Sequence, residues 1–238
     1  MKNKKIWLLA VVLFGSAFFT ATQPITPEMA IVSSISVILF ALPTYIAIVK
    51  TAGKKRGLAL LAALGVYALL LESSAILTGF PYGNFVYTDV LGNKVFGVTP
   101  WTVAFAYPPI LLLAYWFARL KTDNRWKLVC LTAVAAMSID LVLDPAAVRL
   151  GFWYWENGGF FYNVPLVNFL GWLLSGFLGA IIVHQFYYPV KLTRPLTYSG
   201  MAIVWFWTSV NVWLMQIIPA VIGIVILFVI FRNMKHLR

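Results

Sequence analysis

Four carboxylates interrupt stretches that are otherwise apolar or aromatic: Glu72, Asp140, Asp144 and Glu156. They are the majority of only seven acids in the chain. Glu28 and Asp123 fall in short connections and Asp89 in a loop, where solvation accounts for them. A charge inside a bilayer costs on the order of 3 kcal/mol or more, so an acid there faces a cavity or a partner and marks function by default. Asp140 and Asp144 are four residues apart and share one helical face. Asp144 precedes Pro145, which predicts a helix end at that position. Two carboxyls held close in an apolar setting take different protonation states, one remaining a proton donor while the other stays ionised. That pairing is the minimum equipment for acid–base chemistry on an apolar substrate. The structural alternative is that these acids cap helix ends or pair with Arg149.

Aromatic residues make up 16% of the chain. Trp7, Trp126 and most of those near the C-terminus read as an interface belt. Tyr82, Tyr87, Trp101, Trp153, Tyr154, Trp155 and Trp172 instead flank the acids, together with Phe80, Phe85, Tyr107 and Phe160–Tyr162. Aromatic faces attract cations, so such a lining can hold a carbocation without offering a competing nucleophile. Asn168, Asn84 and Asn163 are candidates to orient a water molecule, with loop capping the alternative for the latter two. Other chemistries lack their equipment. There is no G-x-G-x-x-G and no Walker motif, and His184 and His236 are too few for a histidine-rich metal centre. Asp140-x-x-x-Asp144 matches one half of an intramembrane prenyltransferase's aspartate pair, but the second multi-aspartate motif is missing. A flavin or nicotinamide Rossmann site and a histidine-bound metal are therefore not expected, and the single Cys130 has no intrachain partner.

The elements that must position these residues are membrane helices. The chain is 62% hydrophobic and 11% charged, outside the range of a soluble domain. Its 238 residues have room for roughly eight spans of about 20 residues. Apolar runs predict an all-α bundle with helices at about 6–21, 29–49, 57–78, 100–119, 126–144, 166–187, 197–212 and 215–232. The last two form one apolar run of about 50 Å if unbroken, so a reversal near Asn211 is required, with Pro219 early in the final helix. With both termini cytoplasmic, 16 of the 18 Lys and Arg residues fall on the inner side, leaving only Lys94 and Arg149 outside. The net charge of +11 therefore reads as a topology label and not as a nucleic-acid surface. The first segment also fits a signal peptide, but no small-x-small cleavage site follows it, which favours retention. Glu72 precedes Gly79-Phe80-Pro81-Tyr82 by seven residues, and Asp144 precedes Gly151-Phe152-Trp153-Tyr154 by the same interval. This points to a two-helix repeat, with copies at about 57–119 and 126–187 in a single domain spanning residues 1–238.

Glu72 with the segment 79–83, the run Ser138-Ile139-Asp140-Leu141-Val142-Leu143-Asp144-Pro145, Gly151-Phe152-Trp153-Tyr154-Trp155, and Val164-Pro165 through Asn168 to Gly171-Trp172 together resemble the membrane carotenoid biosynthesis family, which includes carotenoid 1,2-hydratases. The resemblance covers about residues 65–185. It implies a cofactor-independent hydro-lyase of the cell membrane that adds water to the terminal double bond of an acyclic carotenoid end group. The implied partners are a lycopene-like, gamma-carotene-like or fifty-carbon carotenoid, water, membrane lipid and other carotenoid enzymes. Within that reading Glu72 or Asp140 supplies the proton, the aromatic lining holds the tertiary cation, and Asp144 or Asn168 orients the water. Glu156 completes the candidate catalytic set. A cyclase or isomerase using the same protonation, and a carotenoid- or lipid-binding transporter, are the alternatives.

Overall fold

The structure, a computed structural model, describes residues 2–188, 190 and 193–234, with backbone alone for residues 2–6. Among these residues the chain forms eight α-helices: α1 (Lys2–Thr22), α2 (Ala30–Ala52), α3 (Lys54–Thr78), α4 (Val103–Arg119), α5 (Arg125–Arg149), α6 (Leu166–Tyr187), α7 (Tyr198–Trp213) and α8 (Ile217–Met234). Four short strands lie in the connections: β1 (Phe85–Tyr87), β2 (Lys94–Val95), β3 (Thr99–Pro100) and β4 (Trp153–Trp155). Five helical segments are long and apolar enough to cross a membrane: Pro27–Ala52, Lys54–Thr78, Arg125–Arg149, Leu166–Tyr187 and Ile217–Met234. Many large apolar side chains, among them Val66, Leu70, Leu77, Val134 and Phe228, point outward. A soluble protein would bury such residues, whereas a lipid-facing bundle presents them. The chain is an integral membrane protein. Of the cations assigned to the inner side, the side chains of Lys2, Lys4, Lys5, Lys191, Lys235 and Arg238 lie outside the described residues, as does His236.

The helices α3, α4, α5 and α6 pack closely on one another, α2 packs on α3, α4 and α7, α8 packs on α5 and α7, and α1 packs on α7. The core centres on α4, where Leu111, Leu113, Tyr115 and Trp116 are fully buried beside Leu60, Leu64, Leu128 and Val129. Small residues permit the closest approach. A Cβ on Gly176 would come within 2.9 Å of the Ala133 backbone, so α5 and α6 meet almost backbone to backbone.

Two local expectations are corrected. Asp144 does not end a helix: α5 continues through Pro145 to Arg149. Proline costs the helix one backbone hydrogen bond, and neighbouring polar side chains serve this stretch. Asn211 Nδ2 donates to the Val142 carbonyl (2.7 Å), and Gln216 Nε2 to the Pro145 carbonyl (3.3 Å). The reversal between α7 and α8 falls at residues 214–216, with Met215 at φ +58, while Asn211 stays helical and its carbonyl accepts from the Gln216 amide. The long-range strand pairing has no counterpart in the sequence pattern. β1 runs antiparallel to β4 with Phe85 opposite Trp155 and Tyr87 opposite Trp153, tying the loop after α3 to the loop after α5.

Candidate active site

Glu72, Asp140 and Asp144 converge in the interior, only 8%, 1% and 3% exposed. Asp140 and Asp144, one turn apart on α5, lie within hydrogen-bonding reach of each other. Asn168, in the first turn of α6, donates through one nitrogen to both, at 2.9 Å to Asp140 Oδ2 and 2.5 Å to Asp144 Oδ2. The Trp153 side chain also lies beside Asp144. Glu72, approaching from α3, accepts from the Tyr87 hydroxyl at 3.1 Å. Burial pushes the Tyr87 phenol well above its ordinary value, so it remains a donor. Arg149 forms no ion pair with Asp144 or Glu156.

The strand pair supplies an aromatic wall. Alternation along β4 sends Trp153 and Trp155 inward and leaves Tyr154 exposed. Tyr87 packs edge-on against Trp153 with ring centroids 5.6 Å apart, and Phe85 packs on Trp155 at 5.6 Å. The Trp155 indole donates to the Tyr82 carbonyl at 2.9 Å, pinning the loop after α3 beneath β4. Trp172 stacks on Tyr107 with centroids 5.5 Å apart and leans on Tyr82 at 6.2 Å. Gly171 allows this closure, since a Cβ there would stand 2.6 Å from the Pro81 carbonyl oxygen and 2.5 Å from Tyr82 Cδ1.

These groups border an apolar cavity of about 1640 Å³, larger than the roughly 300–1,000 Å³ of common small-molecule pockets. It is elongated. The α1 residues that border it begin at Trp7, and Gln23 beyond the helix also lines it, a run of about 24 Å at 1.5 Å per residue. The acidic residues in its wall are Glu72 and Asp144, near the end that β1 and β4 close. The far end lies among Trp7, Tyr198, Phe231 and Met234. Asp140 is not in the wall and stands behind Asp144. The sequence candidates thus divide. Glu72, Asp144, Asn168, Tyr82, Tyr87, Trp153, Trp155 and Trp172 line the cavity. Glu156, Tyr154 and Trp101 do not: Glu156 follows β4 on an exposed turn, and Trp101 is over a third exposed. Asn84 and Asn163 are also exposed, Asn163 in a left-handed turn conformation. Among the described residues no group of three or more His, Cys, Asp or Glu side chains is arranged to hold a metal ion. Sequence reasoning missed Tyr67 and Ser175, which meet Tyr107 between α3, α4 and α6. Their signal was weak: isolated polar residues in apolar helices.

Buried carboxyls and aromatic faces thus meet a long apolar cavity inside a membrane helix bundle. Residues 29–230 match the family described as "Carotenoid biosynthesis protein", and the chain belongs to that family. It is similar to bisanhydrobacterioruberin hydratase of Haloarcula japonica, at 37% identity over 145 residues, covering 59% of this chain and 49% of that protein. The chain therefore spans about half the length of this curated relative. No solved structure matches.

Proposed function

We propose that this protein hydrates the terminal double bond of an acyclic carotenoid end group. The observation that carries the reading is the pairing of two cavity-facing carboxyls, Asp144 and Glu72, with aromatic walls on a groove long enough for the end portion of a polyene chain. Family membership and the name of the hydratase relative support the substrate class and the reaction. At rest, two carboxyls in contact in an apolar interior do not both carry charge, so Asp140 and Asp144 share one proton, and the cation formed when it leaves offsets the charge gained by the pair. Asp144, the member that faces the cavity, passes it to the alkene carbon that leaves a tertiary cation. Tyr87, Trp153 and Trp155 present ring faces and edges around that cation. Water then bonds to the cationic carbon and Glu72 accepts its proton, giving a tertiary alcohol. Alkene hydration is redox-neutral and consumes only water: the proton given by Asp144 is matched by the one Glu72 takes from the attacking water, and its return to the Asp140–Asp144 pair closes the cycle, so the reaction needs no cofactor.

The same reading extends to the frame. Residues 1–238 act as one domain, with all eight helices embedded in the cell membrane and both termini cytoplasmic. Sixteen of the chain's eighteen cations then fall on one side. The hairpins α3–α4 and α5–α6 derive from one duplicated unit. Gly79 and Gly151 support this, because each follows its acid by seven residues and each ends its helix in a left-handed conformation (φ +77 and +74). Expression in a host that accumulates lycopene tests the function. The expected pigment is heavier by one water. A pigment of unchanged mass but altered absorption would indicate cyclisation or isomerisation, and an unmodified pigment would refute enzymatic activity on that substrate.

A further inference from the structure

The groove wall is overwhelmingly apolar, which raises the question of where the attacking water is held. Within electrostatic reach of Glu72, besides Tyr87, two phenols stand out. Tyr82 and Tyr107 are 2% and 4% exposed, both line the cavity, and the hydroxyl of each has no well-formed hydrogen bond to a described residue. Buried hydroxyls in native proteins are almost always paired, and a buried water is held by about two to four polar groups. Ser175 lies close to both hydroxyls, and each tyrosine sits within electrostatic reach of Glu72. The rings are not free to turn away. Trp172 packs against both, Tyr67 meets Tyr107 edge-on with centroids 5.9 Å apart, and the Tyr67 hydroxyl donates to the Ser175 carbonyl at 2.8 Å, leaving its oxygen beside the Tyr107 hydroxyl as an acceptor only.

We propose that Tyr82, Tyr107 and Ser175 form a dedicated site for the water that becomes the product hydroxyl, set against Glu72 and separate from the Asp140–Asp144 proton donor. This rests on the hydration reading above and adds to it the residues that decide the fate of the cation. With water seated on the two phenols, its oxygen bonds to the tertiary carbon and its proton passes to Glu72. Without that water, the cation survives until it returns a proton to a carboxylate and reverts to an alkene. The site thus separates a hydratase from an isomerase built on the same acid.

The test is a partition measurement in deuterated water with the full-length protein in lipid vesicles and lycopene as the probe. Wild type is expected to yield carotenol carrying one solvent deuterium on carbon, with little deuterium in recovered lycopene. The Tyr82→Phe/Tyr107→Phe double variant keeps both rings and is expected to lose hydration by about tenfold or more, the order of one or two lost hydrogen bonds. Deuterium in its recovered, unhydrated lycopene should rise. Ser175→Ala, which removes a single hydroxyl from α6, should shift the partition in the same direction. Wild-type hydration by the double variant, or a parallel fall in hydration and exchange in both variants, overturns the water site while leaving the hydratase reading intact. A wild-type protein that neither hydrates nor exchanges overturns both.

Discussion

Asn168 holds the two α5 carboxyls with a single amide nitrogen, so replacing it isolates the contribution of that donor. In Asn168→Leu, a change of similar volume, both hydrogen bonds disappear while the backbone of the first α6 turn is retained. A hydrogen bond to a charged group is worth about 1.5–3 kcal/mol. As the proton leaves Asp144 the pair gains negative charge, and the bond from Asn168 strengthens at that moment, which is when an interaction accelerates the chemical step. Losing one such bond in the transition state alone corresponds to a rate reduced by about 10- to 150-fold. The assay is single-turnover hydration of lycopene in vesicles, with carotenoid retention measured separately by absorbance of the repurified protein. Carotenoid retention should stay within about twofold, since the groove offers an apolar lining many times the area of this one side chain. Hydration at the wild-type rate would refute the role given to Asn168. Loss of carotenoid retention equal to the loss of rate would show that the residue seats substrate and does not tune the acid.

Three further outcomes are expected. Tyr87→Phe removes the donor to Glu72 Oε2 and should lower hydration about tenfold with carotenoid retention unchanged, checked by the same paired assays. Gly171→Ala forces a methyl group against the Pro81 carbonyl and Tyr82, and overpacking of this kind costs about 1–3 kcal/mol, so thermal unfolding followed by size-exclusion chromatography should show a lower midpoint. Glu156→Gln, at an exposed position off the groove, should hydrate within about twofold of wild type.

The acids on helices were legible because a charge in an apolar run has few bland explanations, and Glu72, Asp140 and Asp144 do come together. The spacing of Asp140 and Asp144 placed them on one face without telling which of them meets the groove, because a shared face spans two helical neighbours. Helix number was readable from apolar run length, whereas the end of α5 was not. A proline after Asp144 reads as a stop, yet α5 runs on to Arg149, with Asn211 of α7 and Gln216 of the following turn bonded to the carbonyls of Val142 and Pro145. The aromatic candidates divided for a similar reason. Trp153, Tyr154 and Trp155 are equivalent in sequence, and the pairing of β4 with a strand some seventy residues earlier decides which of them turn inward. Tyr67 and Ser175 carried almost no signal, since single polar residues on separate helices acquire meaning only when packing gathers them around Tyr107 and Trp172.

The central claim is that Asp144 delivers a proton to a carotenoid alkene. Its most direct test compares wild type with Asp144→Asn, at matched amounts of folded protein in deuterated water, for deuterium placed on carbon in both hydrated and recovered lycopene. The account predicts one carbon-bound deuterium in the wild-type product and loss of both hydration and exchange in the variant, with carotenoid still retained. Hydration or carbon exchange by Asp144→Asn at the wild-type rate would contradict it.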